Sequence, residues 1–227
     1  MTPHSAVAPA GAAVGPAAPD GSTDATRVPA EDVDDVRTSL EWARGFLATP
    51  HEDLGRKGPV CPYIRHSFDE HLVHAVTRPE TSCADPELRR AVSAARHTFT
   101  ALQGEAPRGH QHLVSVLVVL PRIDRTSAVE LEELHRDLKD EFVAEGLMIG
   151  QFHPECQARG LWSADFRPLQ SPVPLLAIRE MVSSDLPFLI GRAEHADVYF
   201  ERYAAAIPAH TRRFLVDQLV RSEGVPS

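Results

Sequence analysis

The sequence predicts an α+β protein, with one domain at residues 33–222 built on a central sheet of about four strands and helices packed mainly on one face. Two observations predict this class. Segments with helical apolar spacing alternate along the chain with short apolar runs that suit strands, which places helices against a sheet. One run, residues 112–120, is nearly all apolar and β-branched, so it predicts a strand covered on both faces. A small doubly wound α/β sheet is the alternative.

Residues 1–30 differ from the rest of the chain in composition. They are rich in Ala, Pro, Gly, Ser and Thr and hold almost no large apolar side chains. Such a segment cannot bury enough apolar surface to offset the entropy lost on ordering. We therefore expect a disordered tail ahead of the domain.

The first half of the domain predicts a helix, a strand and a second helix. Apolar residues recur at helical spacing over residues 33–48. Residues 68–77 predict a strand. Asp85 and Pro86 then form an N-cap with proline in the first turn, and an apolar stripe at helical spacing follows over residues 88–102.

The second half of the domain continues this alternation after the strand at 112–120. Ser127 and Glu130 match a capping box at the start of a helix, and Gly146 is placed to close that helix. The remaining predicted elements are strands at 147–152 and 174–179 and helices near 185–190, 195–206 and 208–222.

Composition and charge exclude several classes of function. The chain has 227 residues, a net charge of -9 and no stripe rich in Lys and Arg, so it lacks the basic face of a nucleic-acid-binding protein. No apolar run approaches the roughly 20 residues that span a bilayer, and we expect no secretory signal. Three cysteines do not suit a disulfide framework and fit a reducing compartment. We therefore expect a cytoplasmic protein that acts on a small molecule, either alone or as a homodimer.

The strongest candidate functional residue is His153, in the motif Phe152-His153-Pro154. It follows the predicted strand at 147–152, and Pro154 stops the ladder of that strand because it has no N–H to donate. A side chain at a strand end is held rigidly and can still face a cleft. A neutral imidazole there can bind a metal or haem iron, or act as a general acid or base. A strand-end histidine can equally hydrogen-bond a loop carbonyl.

Two proline-rich segments, residues 58–63 and 171–174, flank His153 in sequence. The first contains Cys61 and Tyr63. Cys61 is open to three interpretations: a small buried apolar side chain, a thiolate nucleophile or metal ligand, or part of the wall of a cofactor pocket. As a nucleophile, it would need His153 as its base and a third group to orient the histidine.

The second segment leads into the strand that carries Arg179. At the end of this strand the guanidinium can clamp a carboxylate or propionate, or it can pair with Glu180 or a helix C-terminus. Trp162 adds aromatic surface that can cover a flat ligand or close a core. The residues predicted to bind a cofactor are His153, Arg179, Arg167, Trp162 and Tyr63, and the predicted catalytic residues are Cys61 and His153.

Cys156 lies three residues after His153, an H-x-x-C spacing that suits a metal-binding pair in a tight turn. One such pair without a second is a weak signal, and it does not by itself predict a structural zinc site. The histidines without a partner at useful spacing are predicted to lie on the surface, and they are His66, His71, His74 and His195.

The three segments together resemble a group of bacterial proteins classed as domains of unknown function. The shared motifs span about residues 55–190 and are Cys61-Pro62-Tyr63, Phe152-His153-Pro154 and Ser171-Pro172-Val173-Pro174 followed by Arg179-Glu180. The early Pro-Cys loop is also distantly similar to the YqcI/YcgG family, whose members include haem-dependent N-oxygenases of natural-product pathways. That resemblance implies haem, a histidine axial ligand and oxidation of an amine nitrogen. His153 is our candidate for the ligand because of its position at the strand end.

Three hypotheses follow from the sequence. The first is a haem-dependent biosynthetic oxygenase of a small amine or amino-acid-like substrate, with His153 on the iron, Cys61 in the pocket wall and Arg179 on a haem propionate or the substrate carboxylate. The second is a cofactor-free enzyme with Cys61 as nucleophile and His153 as base. The third is a non-catalytic accessory or binding protein of a biosynthetic pathway.

Overall fold

A computed structural model of the chain describes residues 28–124 and 128–205, together with residues 210, 212, 213, 215 and 216. At its centre is a mixed four-stranded sheet in the order β1-β2-β4-β3. The strands are β1 Val73–Thr77, β2 Ser115–Val119, β3 Leu147–Phe152 and β4 Leu175–Glu180. β1 and β2 are parallel, whereas β4 is antiparallel to both β2 and β3. The α+β class is therefore confirmed, and the doubly wound alternative does not apply.

The helices lie on both faces of this sheet. Those with described bounds are α1 Val33–Trp42, α2 Ile64–Asp69, α3 Pro86–Glu105, α4 Ala128–Ala144 and α5 Ala193–Tyr203. A π-helix at Ala43–Leu47 extends α1, and short 3-10 segments lie at Ala30–Asp32, Glu52–Leu54, Gln111–Leu113 and Ser183–Phe188. Within the described ranges, none of the helices combines the length and apolar character needed to cross a membrane.

The main core lies between the sheet and the two longest helices, α3 and α4. Alternate residues of β2 and β4, such as Val118 and Ile178, point towards this layer because side chains of a strand alternate between faces. They pack with Phe99 of α3 and with Leu138 and Phe142 of α4, all of which are fully buried. The two longest helices thus share one face of the sheet.

The opposite face of the sheet is covered by α1 and α2. Leu117 of β2 and Leu175 of β4 pack with Val36 of α1. Phe152 of β3 packs against the cluster that contains Phe68 of α2. β2 is therefore buried on both faces, as its apolar run predicts. Which side chains can meet at a site depends on which of these two faces each one points to.

Several local signals act as predicted, and one segment differs. The Asp85 side chain accepts a hydrogen bond from the Glu87 N–H at 2.8 Å, and Gly146 adopts a left-handed φ of 74° between α4 and β3. The strand predicted at 68–77 is wrong in its first part, because α2 extends to Asp69 and β1 begins only at Val73. Most of the predicted tail, the capping residue Ser127 and most of the predicted helix at 208–222 lie outside the described residues.

Candidate functional site

His153 lies directly after β3, with its ring buried beneath α4. The residue is 2% exposed, and its Nε2 atom lies 3.2 Å from a carboxylate oxygen of Glu132 in α4. Its backbone N–H donates to the Leu169 carbonyl at 3.2 Å, and its carbonyl accepts from the Ser171 N–H at 3.3 Å. The following loop therefore fixes the backbone of His153, and Glu132 contacts its ring.

Cys156 is brought beside His153 by a tight turn. The Cys156 N–H donates to the His153 carbonyl at 3.2 Å, which closes the four residues from His153 to Cys156 as a turn. The thiol is fully buried. The ligand atoms of Glu132, His153 and Cys156 all lie within 4.8 Å of one another. The H-x-x-C pair thus gains a third potential metal ligand from α4, and we call these three residues the EHC cluster.

Two buried polar atoms at the EHC cluster have no hydrogen-bond partner among the residues that the structure describes. They are His153 Nδ1 and Gln151 Oε1. Gln151 is two residues before His153 and therefore on the same face of β3, and its side-chain amide donates to Cys156 Sγ at 3.6 Å. A buried polar group without a partner costs about 1–3 kcal/mol, so folded proteins rarely leave one unsatisfied. These two atoms leave room beside the cluster for hydrogen bonds to water or to a polar group of a ligand.

The spacing of the EHC cluster suits a single metal ion. Zinc bonds of about 2.0–2.1 Å to nitrogen or oxygen and about 2.3 Å to sulfur separate tetrahedral ligand atoms by roughly 3.3–3.8 Å. The Glu132 and His153 atoms are already 3.2 Å apart, and the Cys156 sulfur needs only a small movement. The Glu132 side chain is 37% exposed, so the cluster opens to solvent on the α4 side.

Cys61 and Arg179 lie away from the EHC cluster, on the other face of the sheet. Cys61 packs into the apolar cluster of α1 and α2, whereas the His153 ring contacts α4. His153 follows β3 and Arg179 lies near the end of β4, and these antiparallel strands end at opposite edges of the sheet. The structure therefore does not bring Cys61 and His153 together as a nucleophile and its base.

Arg179 is held by Asp185 in a two-pronged ion pair. Its Nη1 and Nη2 atoms donate to the two Asp185 oxygens at 2.7 and 2.6 Å. Burial alone would lower the pKa of Arg179, but the hydrogen bonds and charge of Asp185 outweigh it and raise that pKa, with smaller contributions from Cys61 and Tyr63. The suggested ion pair with Glu180 is wrong: Arg179 donates to the Glu180 main-chain carbonyl at 2.9 Å, whereas the Glu180 carboxylate accepts hydrogen bonds from α3 and α5.

The other predicted residues are also engaged elsewhere. The Tyr63 hydroxyl lies 3.3 Å from the Ser184 hydroxyl, beside Arg179. Arg167 donates to the carbonyls of its own loop, with Nη1 at 2.6 Å from the Ala164 oxygen. Trp162 is 65% exposed. The prediction that His195 lies on the surface is wrong, because α5 packs it against α4, where it is buried and bonded to Asp140.

Sequence reasoning missed Glu132 and Gln151. Glu132 is one of several acids on the amphipathic helix α4, and its contact with His153 spans 21 residues, so no local spacing indicates it. The sequence does contain a signal for Gln151, because it is a polar residue at a buried position of an otherwise apolar strand. Such a residue needs a partner, and a search for one leads to Cys156 and His153.

The three cysteines differ enough for a labelling experiment to rank them. Cys61 is partly exposed, whereas Cys83 and Cys156 are buried. Burial, together with the charge of Glu130, raises the pKa of Cys83 to about 11, so its thiol keeps its proton at mildly alkaline pH. We expect iodoacetamide to modify Cys61 before the two buried cysteines, as measured by mass spectrometry of timed peptide digests. Equal rates at Cys61 and Cys83 would contradict this order.

Comparison with known proteins finds a family that matches most of the chain. A family profile described as Domain of unknown function (DUF6875) covers residues 36–214, a range that contains the EHC cluster and all three sequence motifs. No curated protein and no solved structure matches the chain. The resemblance to proteins of unknown function is confirmed, and the similarity to the YqcI/YcgG family stays a prediction.

Proposed function

Since the chain belongs to the DUF6875 family, whose description assigns no function, we propose from the geometry that it is a metal-dependent enzyme. Glu132, His153 and Cys156 bind one divalent transition-metal ion, with zinc as the first choice, and the ion acts as a Lewis acid on a small-molecule substrate. The observation that carries this proposal is the convergence of three ligand side chains, whose ligand atoms lie within 4.8 Å of one another.

The number of ligands favours a catalytic over a structural ion. Structural zinc sites are closed by four protein ligands, whereas catalytic sites keep a position for water or substrate. The EHC cluster supplies three ligands and is accessible on the side of Glu132. An ion there would polarise a carbonyl or phosphoryl oxygen of the substrate, or lower the pKa of a bound water. Gln151, which donates to the Cys156 sulfur, would keep that thiolate oriented towards the ion.

The residues predicted to bind haem do not lie around one common cavity that could hold it. The His153 ring is buried, with one nitrogen against Glu132. The Arg179 guanidinium is already paired with the Asp185 carboxylate, on the other face of the sheet. Tyr63 lies beside Arg179, away from His153. We therefore place no haem in the proposed mechanism. The haem and accessory-protein hypotheses stay predictions, and an absorption spectrum with added hemin tests the first directly.

The proposal is tested by measuring zinc bound to the full chain. Protein treated with a chelator and then dialysed against excess zinc is expected to retain one ion per chain. It is also expected to unfold at a higher temperature, because a ligand that binds only the folded state stabilises it. Zinc content far below one ion per chain, with no thermal shift for zinc, cobalt or ferrous iron, would refute the proposal.

A further inference from the structure

A second site lies along α4, close to the EHC cluster. A cavity of about 200 Å³ separates α4 from the segment that leads into α5. This volume is below the range of about 300–1,000 Å³ that is usual for drug-sized ligands, so it suits a small group. The charged and titratable residues that line it are Arg136, Lys139, Asp140, Arg192 and His195.

The cavity is positively charged in a chain whose net charge is -9. Three cationic side chains and one carboxylate line it, and the carboxylate of Asp140 is already bonded to Arg192 at 2.7 Å and to His195 at 2.8 Å. Burial lowers the pKa of His195 in spite of Asp140, so this ring adds no charge at neutral pH. The residues that line the cavity therefore have a net charge of +2, which favours an anionic ligand.

Individual donors in the cavity are available to an anion. Arg136 is exposed, and its guanidinium makes no hydrogen bond or ion pair with any residue in the described part of the chain. Lys139 donates to the Phe188 carbonyl at 2.8 Å, and an ammonium has two further N–H groups. Burial is the main cause that lowers the pKa of Lys139, and a bound anion would favour its charged form.

Residues at the N-terminal end of α5, namely Gly191, Arg192 and His195, line the same cavity. α5 has 11 residues, and its N-cap Arg192 makes no side-chain capping bond, although the Arg192 Nε lies 3.6 Å from Glu194. The first N–H groups of a helix lack partners within the helix and carry a partial positive charge, which favours anions. The cationic side chains and the N-terminal end of α5 thus lie at one cavity.

The cavity and the EHC cluster lie on neighbouring turns of α4. Glu132 and Arg136 are four residues apart and therefore on one face of the helix, with a rise of about 6 Å between them. Lys139 lies about 10 Å along the helix from Glu132. One small molecule can therefore place an anionic group in the cavity and its reacting group at the metal ion.

We propose that this cavity binds the oxyanionic group, a carboxylate or a phosphate, of the substrate. Anion binding stands on the cavity itself, whereas its role in holding a substrate rests on the proposed function of the EHC cluster. The substrate class is then a small acid or phosphate ester with about 6–10 Å between its anion and its reacting group.

The test follows the backbone amides of Gly191 and Ala193 by NMR while the full chain is titrated with inorganic phosphate or with succinate. Saturable shifts of both amides are expected, and the tighter ligand identifies the preferred anion. Arg136→Gln is expected to weaken binding about tenfold, because one charge-assisted hydrogen bond is lost. Arg90→Gln, at an exposed arginine of α3, is the matched control and should leave affinity unchanged.

Absence of saturable shifts at these amides would overturn the proposal, and so would equal weakening by Arg136→Gln and Arg90→Gln. The titrations are run on zinc-free and zinc-loaded protein. Anion binding by protein that does not retain zinc supports the cavity and refutes only the metal centre. Zinc binding without anion binding refutes only the cavity.

Discussion

Replacing His153 with alanine is expected to weaken zinc binding at least about 100-fold, the upper end of what the loss of an outer-shell partner costs a metal site. The change removes the nitrogen ligand and leaves Glu132 and Cys156, which cannot enclose an ion. Affinity is measured by competition with a chromophoric chelator. Any activity found for the protein should fall with the zinc content.

Matched variants separate ligand loss from general damage. His97→Ala removes an exposed histidine of α3 and should leave zinc affinity unchanged. Cys156→Ser should weaken binding as strongly as His153→Ala, whereas Cys83→Ser changes a buried cysteine away from the cluster and should not. Full zinc affinity in His153→Ala or Cys156→Ser, with the fold intact by circular dichroism, would contradict the assignment of these ligands.

Replacing Asp185 with alanine is expected to lower the free energy of unfolding by about 3 kcal/mol, because removing one partner of a buried ion pair leaves the other charge uncompensated. Asp185 is buried and accepts a bidentate hydrogen bond from the Arg179 guanidinium. It also accepts a hydrogen bond from the Val182 N–H at 2.8 Å. The loss is measured by urea unfolding of zinc-free protein, so that the metal site does not contribute.

The control is Asp137→Ala, which breaks an exposed ion pair. Asp137 lies 3.2 Å from Arg89, and its side chain is 64% exposed. Surface pairs of this kind contribute about 0–1 kcal/mol, so this variant should remain close to wild type. Similar losses in Asp137→Ala and Asp185→Ala would show that the Arg179–Asp185 pair is no more important than a surface pair.

Much of the fold could be predicted from local patterns. β3 spans Leu147–Phe152, as its apolar run predicts, and α3 begins at Pro86 behind its Asp85 cap. The strand predicted at 68–77 failed in part because Ile64 and Phe68, four residues apart, pack together on one side of a helical turn. The apolar content of this segment did not distinguish the end of a helix from a strand. The packing of Ile64 and Phe68 into a tertiary cluster determines that the segment is helical.

The site was less predictable, because it depends on which face of the sheet each side chain reaches. His153 and Cys156 were recognisable as a possible metal pair, since four consecutive residues hold both. Glu132 lies 21 residues before His153 among several acids of α4, and Asp185 lies six residues after Arg179 in the next helical segment. Only tertiary packing assigns each of them to its partner. Cys61 and His153 share a family motif set but point to opposite faces, which sequence spacing cannot show.

The most direct test of the metal centre is X-ray absorption spectroscopy at the zinc edge on zinc-loaded protein. The account predicts a first shell with one sulfur at about 2.3 Å and nitrogen or oxygen ligands at about 2.0–2.1 Å, with the sulfur lost in Cys156→Ser. A first shell of oxygen and nitrogen alone in the wild-type protein, or a sulfur that persists in Cys156→Ser, would contradict it.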